Sequence, residues 1–438
     1  MLNVYPDFVK SRLLRIVDDM AQEPGSFVKR PGKDFSRNRK LNFTQIFRLL
    51  LSMGGNSLGN ELMEFFSYDI AAPSASAFIQ QRDKILPAAF ESLMHQFTDS
   101  HPDPKTFRGY RLLAGDGSGL SIAHNPNDPN TYFQSLPNTK GFNLLHLNAM
   151  YDLCNRLYVD ALVQPGRKKN ECSALSDMVD RSDLGDNVIV IADRNYESYN
   201  VFAHIGQKGW KYAIRVKDRD SNGILSGLDL PPEDVFDFQT HMILTKKQTN
   251  AVKENPTRYK FLPKASPFDY LDLKVNKFYP ISLRIVRFKI SETSYETIIT
   301  NLDQEEFTAC KIKELYHMRW GIETSFRELK YSIGLTSFHS KKVEYIIQEI
   351  FARLTMYNFC ELITSHVVIQ QKDTKYGYQA NFTAAIKICR YFFKFLNDAS
   401  PPDVEALIQR NLLPIRTGRS APRKVRFRTA VSFLYRVA

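Results

Sequence analysis

The stretch LYHMRWGIETSFRELKYSIGL, Leu315 to Leu335, sets one glutamate among arginines, a lysine, tyrosines and a tryptophan. Read as a helix at about 100° per residue, it places Tyr316, Arg319, Glu323 and Lys330 within roughly 60° of one another on a single face. Leu315, Met318, Ile322, Phe326 and Leu329 form the adjacent apolar stripe that such a helix buries. Taken alone, the polar face has a plain explanation. Arg319 with Glu323 and Glu323 with Arg327 are i,i+4 pairs of the kind that lace solvated helix surfaces. Anything more must come from elsewhere in the chain.

Two aspartates upstream supply it. YRLLAGDGSGLSIA (110–123) reads as a strand in which Asp116 closes the apolar lead-in LLAG, and NVIVIADRNY (187–196) contains the unalternating run Val188–Ala192 that ends at Asp193. Such a run predicts a central strand covered on both faces, and both aspartates are expected at strand ends. Each could serve as a turn residue or a helix cap. An acid closing a buried strand is nevertheless costly unless something pairs with it, and a divalent cation is a good partner. If the first and fourth strands are parallel neighbours, the two carboxylates converge near the helix that presents Glu323. Three carboxylates at one point suit Mg²⁺, and a two-metal arrangement drives in-line displacement at phosphorus.

Around these residues the 438-residue chain divides by pattern. Residues 1–105 read as helical, with a basic loop carrying Lys29, Arg30, Lys33, Arg37, Arg39 and Lys40. Residues 106–218 read β-β-β-α-β-α-β, a mixed sheet with helices packed on it. Residues 219–291, rich in proline, lysine and short alternating stretches, predict a β-rich insertion. Residues 292–335 return a strand and the opening helix, and 336–438 are helical, ending in a basic segment from Arg410 to Arg436.

Lys and Arg total 59 against 47 Asp and Glu, a net charge of +12 that favours a polyanionic partner such as nucleic acid. Hydrophobic residues at 43% and charged residues at 24% describe a globular chain and exclude a disordered one. The five cysteines, with no C-x-x-C pair, predict ordinary buried thiols rather than disulfides or a zinc site. The N-terminus lacks a signal-peptide pattern and no apolar run reaches membrane-spanning length, so a cytoplasmic protein without a membrane partner is expected.

The chain resembles DDE transposases of the bacterial insertion-sequence type. Tyr316, Arg319, Glu323 and Lys330 match that group's Y-x2-R-x3-E-x6-K signature at every fixed position, LAGDGS resembles its first-aspartate strand and IADRNY its second. In the second strand, Asn195 stands where the group usually has Gly or Ala. The resemblance covers roughly residues 35 to 435. It implies a ribonuclease H-like α/β core with a β-rich insertion between helical ends. It implies Asp116, Asp193 and Glu323 as ligands of two Mg²⁺ ions, with Mn²⁺ as a substitute. Arg319, Lys330, Tyr316 and Arg327 become DNA contacts, and Trp320 a platform for an unstacked base, although a tryptophan packing its own helix is commoner. The spacing from Asp193 to Glu323, 323 − 193 = 130 residues, is shared by group members whose β insertion is associated with a hairpin step. The implied partners are double-stranded DNA, as element ends and as target, and a second copy of the chain in a homodimer on that DNA. The implied location is the bacterial nucleoid. A metal-dependent nuclease that cuts without joining, and a transposase-derived DNA-binding protein without catalysis, are the rival readings.

Overall fold

The computed structural model describes residues 3–415 and 430–431, apart from 38, 102, 135, 273, 370, 372–375 and 396–400. The basic positions Arg416, Arg419, Arg423, Lys424, Arg426, Arg428 and Arg436 lie outside the described residues.

Five helices open the chain: α1 (Val4–Gln22), α2 (Phe43–Ser52), α3 (Leu58–Phe65), α4 (Ala75–Arg82) and α5 (Pro87–Asp99). Asn42, Ser57 and Ser74 cap α2, α3 and α4 by accepting the backbone N–H three residues on, and proline opens α5 where its missing donor is no loss. Next come β1 (Arg111–Ile122), β2 (Tyr132–Phe133), β3 (Phe142–Asp152), β4 (Leu157–Pro165), α6 (Glu171–Asp180), β5 (Val188–Ala192), α7 (Tyr199–Gln207) and β6 (Lys211–Val216). β3 runs antiparallel to β1 and β4, while β1, β5 and β6 are mutually parallel. The order β4-β3-β1-β5-β6 is that of a ribonuclease H-like core.

β7 (Phe236–Thr245), α8 (Asn250–Glu254), β8 (Tyr259–Phe261), β9 (Tyr279–Ser291) and β10 (Ser294–Thr300) follow. β10 pairs with β6, β9 with β10 and β7 with β9, so these strands continue the core sheet to a total of ten. The chain then forms α9 (Ala309–His317), α10 (Trp320–Glu328), α11 (Val343–His366), α12 (Phe382–Lys394) and α13 (Val404–Arg410). Among the described residues no helix is long and apolar enough to cross a membrane.

Three cores hold these layers together. β5 is buried along its whole length: Val188 and Val190 join the core under α6 and α7, while Ile189 and Ile191 join the one under α9. On the α10 face, Ala114, Leu145 and Leu147 of the sheet share a third core with Phe47, Phe90, Ile322 and Tyr357. α11 lies in that core with 18 of its 24 residues buried, which fits its lack of a polar face. The expectation of buried thiols holds only for Cys360 and Cys389. Cys310 is exposed, and Cys154 and Cys172 are half-buried on loop and first-turn positions.

The polar residues of α11 anchor the N-terminal helices. Arg82 at the end of α4 donates to Gln348 Oε1 at 2.7 Å and to Glu349 Oε1 at 3.0 Å. Glu349 also faces His339 at 3.1 Å and Arg353 at 3.5 Å, and all of these side chains are almost fully buried. Removing one member of such a network strands the other charges. Glu349→Ala should therefore lower the unfolding free energy by about 3–5 kcal/mol, read from urea denaturation. Truncating exposed Lys40, which pairs with Asp69 at the surface, should cost under about 1 kcal/mol.

Candidate active site

The parallel pairing of β1 with β5 runs in register from Arg111 opposite Val188 to Gly115 opposite Ala192. It stops there, and the next residues are Asp116 and Asp193, on strands about 4.8 Å apart. Asp193 sits at a strand end as expected, but Asp116 does not. β1 keeps its antiparallel partner β3 as far as Ile122, so Asp116 lies in mid-strand, at the point where only the parallel neighbour has left. β5 leaves because Asp193 caps a short 3-10 turn, its Oδ1 accepting the N–H of Asn195 at 2.8 Å. The cap residue is thus the same aspartate that the sequence marks as a candidate ligand. Asp116 is oriented in a similar way, Oδ1 accepting the N–H of Gly117 at 2.8 Å.

Glu323 stands in the first turn of α10, which lies against β1. Arg319 donates to Glu323 Oε1 at 2.8 Å. The charges of all three carboxylates meet at Asp116. Burial, together with the negative charge of Asp193 and Glu323, pushes its carboxyl up to about 7, against the opposing pull of the Gly117 N–H and the Arg319 guanidinium. Asp193 and Glu323 thus both act on Asp116, and three carboxylates are the all-oxygen donor set a divalent cation takes, although their ligand atoms do not lie within 4.8 Å of one another.

The continuous helix expected over 315–335 is broken. α9 ends at His317, the N–H groups of Met318, Arg319 and Gly321 bond three residues back, and α10 begins at Trp320. From Leu329 to Ile333 the helix widens into a π turn, closed by Gly334 at φ 92°. The apolar stripe explains the break. Leu315 packs into the core beneath α9, whereas Ile322, Phe326 and Leu329 pack into the one shared with α11, and no straight helix serves both. Gly321 permits the close approach, since a Cβ there would lie 2.8 Å from Leu153.

The four signature residues are consequently not one exposed face. Tyr316 and Arg319 are buried, Tyr316 with no hydrogen-bond partner for its hydroxyl and Arg319 stacked at 4.9 Å over the Trp320 ring. Lys330, in the π turn, reaches the carbonyl of Gly119 on β1 at 3.4 Å, three residues beyond Asp116. Trp320 is 53% exposed, so it is not a packing residue, and Arg327, one turn on from Glu323, is exposed. Sequence reasoning missed His146 on β3 and Glu171 at the start of α6. Their carboxylate–imidazole pair, 2.9 Å apart, lies against the Gly117 backbone. His146, one of several polar residues along β3, gives no signal in sequence of a partner 171 − 146 = 25 residues on.

A second acidic grouping, Glu91, His95 and Asp160, brings possible ligand atoms within 4.8 Å of one another. Arg181 already pairs there with Glu91 at 3.0 Å and Asp160 at 2.5 Å, and this accounts for the charge without a metal.

A family model described as "Transposase DDE domain" matches residues 107–359, more than half of the chain. The chain belongs to the transposase DDE-domain family. The match spans the core from the turn before β1 to the interior of α11, so the DDE domain takes in the sheet, the broken signature segment and much of the helix behind it. No curated protein matches the DDE-domain chain. Among solved structures, a cryo-EM piggyBac transposase synaptic complex with hairpin DNA is similar over 90% of this chain and 80% of that one, at 12% identity and a TM-score of 0.47. At that distance the likeness carries no functional statement.

The charge balance of the DDE domain has a measurable consequence. Asp116 titrates near 7 when folded and at about 3.9 when unfolded, so its ionisation opposes folding. The penalty is absent below about pH 4, grows through the interval and is complete above pH 7, where it amounts to about 4 kcal/mol at most. With a chelator present, Asp116→Asn should therefore melt at a higher temperature than wild type at pH 8 and at nearly the same temperature at pH 4.

Proposed function

We propose that this chain is a DNA transposase of the insertion-sequence type, with Asp116, Asp193 and Glu323 as its catalytic carboxylates. It would bind the ends of its own element, cleave them and join the freed 3′-hydroxyls to target DNA. What supports this most is the meeting of Asp116 and Asp193 one residue beyond the last paired position of two parallel strands, within reach of the Glu323 charge. Held by these three residues, two Mg²⁺ ions, with Mn²⁺ as a substitute, would supply activation of the attacking oxygen and stabilisation of the leaving one. Cleavage and joining are both in-line attacks on a phosphodiester, first by water and then by a 3′-hydroxyl, so one constellation can serve both.

The chain's own residues then have distinct tasks. The Gly117 N–H and the Asp193 cap hold two carboxylates in fixed orientations, and Arg319 holds the third. Lys330, anchored at Gly119, is the cation placed to meet a phosphate beside Asp116. Tyr316 and Arg327 are the further DNA contacts of the segment. Tyr316 would reach phosphate only through a rearrangement, given its burial. The exposure of Trp320 and its guanidinium stack favour a platform for an unstacked base.

We assign end recognition to the helical region 1–105. Lys33, Arg37, Arg39 and Lys84 line a cleft of about 370 Å³ there, beside a loop pinned by buried Asp34 accepting from Arg30 at 2.8 Å. Residues 106–218 and 292–335 form the catalytic unit, 219–291 the insertion, and 336–438 the region that would add phosphate contacts or pair two copies of the chain on DNA. Joining two ends in one complex calls for at least a homodimer.

The test is incubation of labelled duplex carrying the sequences that flank the gene, with Mg²⁺, comparing wild type with Glu323→Gln. Nicking at the element ends followed by a joined product, with the substitution lowering the rate by about 10²–10³-fold, is the expected result. Nicking without joining would leave a nuclease, and tight binding without cleavage under Mg²⁺ or Mn²⁺ would leave a non-catalytic DNA-binding protein.

A further inference from the structure

β1 carries glycine at 115, 117 and 119, so one face of the strand presents no side chains just where Asp116 projects from the other. The sockets left by the first two are filled from outside. A Cβ on Gly115 would meet Leu175 of α6 at 3.1 Å, and one on Gly117 would meet His146 Nε2 at 2.4 Å and Glu171 Oε1 at 3.0 Å. His146 comes from β3, where it stands opposite Gly119, and is 8% exposed; Glu171, the first residue of α6, is 18% exposed.

Leucine serves one socket and a polar pair the next. Burying an imidazole and a carboxylate carries a desolvation penalty that a second leucine would avoid, so filling space does not explain His146 and Glu171. What the pair adds is reach. Glu171 opens α6 beside the Asn195 turn, and its neighbour Cys172 donates Sγ–H to the Asn195 carbonyl at 3.3 Å. The N–H of Asn195 is the one that Asp193 accepts, and the N–H of Gly117 is the one that Asp116 accepts. A continuous path of contacts thus runs behind the sheet from the Asp116–Gly117 peptide through His146 and Glu171 to the Asn195–Asp193 turn.

We propose that His146 and Glu171 are positioning residues that fix the separation and orientation of Asp116 and Asp193 from the face opposite the metal site. The inference rests on those aspartates being metal ligands. The pair touches neither the metal nor the DNA and acts through the two backbone N–H groups that orient the ligands. Partners of this kind typically change metal affinity or activity by about 10–100-fold when removed.

The experiment is a titration of Mn²⁺ into the chain bound to duplex carrying the gene's flanking sequences, with free Mn²⁺ read by electron paramagnetic resonance. DNA affinity in chelator and melting temperature are measured alongside. His146→Ala and Glu171→Ala should each weaken the tightest Mn²⁺ site by about 10–100-fold. The double variant should be little worse than either single one, and Glu171→Gln, which keeps the shape and an oxygen beside His146, should recover most of the loss. DNA affinity in chelator should not move. Mn²⁺ affinity within about twofold of wild type in folded single variants, or losses that add fully in the double variant, would overturn the proposal. Should the alanine variants fail to fold, His146→Gln, which keeps the socket filled, is judged by the same titration. Wild-type Mn²⁺ binding that is absent, or is unchanged by Glu323→Gln, would instead overturn the metal-site reading beneath it.

Discussion

The place where β1 and β5 stop pairing governs the whole catalytic region. Parallel strands in register bring equivalent positions side by side, so ending the ladder at Gly115 and Ala192 puts two aspartates next to each other in a setting that is already half-buried. Neither strand can shift by one residue without turning its carboxylate to the opposite face of the sheet. Both strands are locked against such a shift by hydrophobic burial on two sides, and the repulsion between the acids is therefore held in place by packing rather than relieved by movement.

The break in the signature segment follows from the same sheet. α9 covers the strands around β5, whereas α10 and α11 cover those around β1, and the chain must turn between the two. The turn falls at Met318 and Arg319, which rotates Arg319 inward to meet Glu323 and leaves Trp320 facing solvent. A straight helix would have presented arginine and glutamate to solvent together. The π turn that follows sets Lys330 against β1, consistent with the tendency of such bulges to occur at functional sites.

Much of this was legible in the residues. Val188–Ala192 announced a doubly covered strand by lacking alternation. Other features were hidden for identifiable reasons. Periodicity over 315–335 describes one helix because it cannot say that its apolar stripe faces two cores. Alternation in HMILTKKQ and SLRIVRFKI reports strands but not their neighbours, so the merging of 236–291 into the core sheet was unreadable. The mid-strand position of Asp116 depended on β3 extending further than β5, a property of partners rather than of LAGDGS. Arg82, His146 and Glu171 looked like isolated polar residues because what they bind is distant in sequence.

The wrapping of α11 by both ends of the chain also sets an order of events during synthesis. Arg82 and its partners Gln348 and Glu349 are 266 and 267 residues apart. At about 5–20 residues per second, a ribosome takes roughly 13–50 s to bridge that gap. Through that interval the nascent N-terminal helices hold apolar faces and a cationic guanidinium whose counterpart has not been made. The domain that would grip DNA thus matures only after the residues that would cut it have been translated, and chaperone demand for this protein is concentrated at its beginning rather than its end.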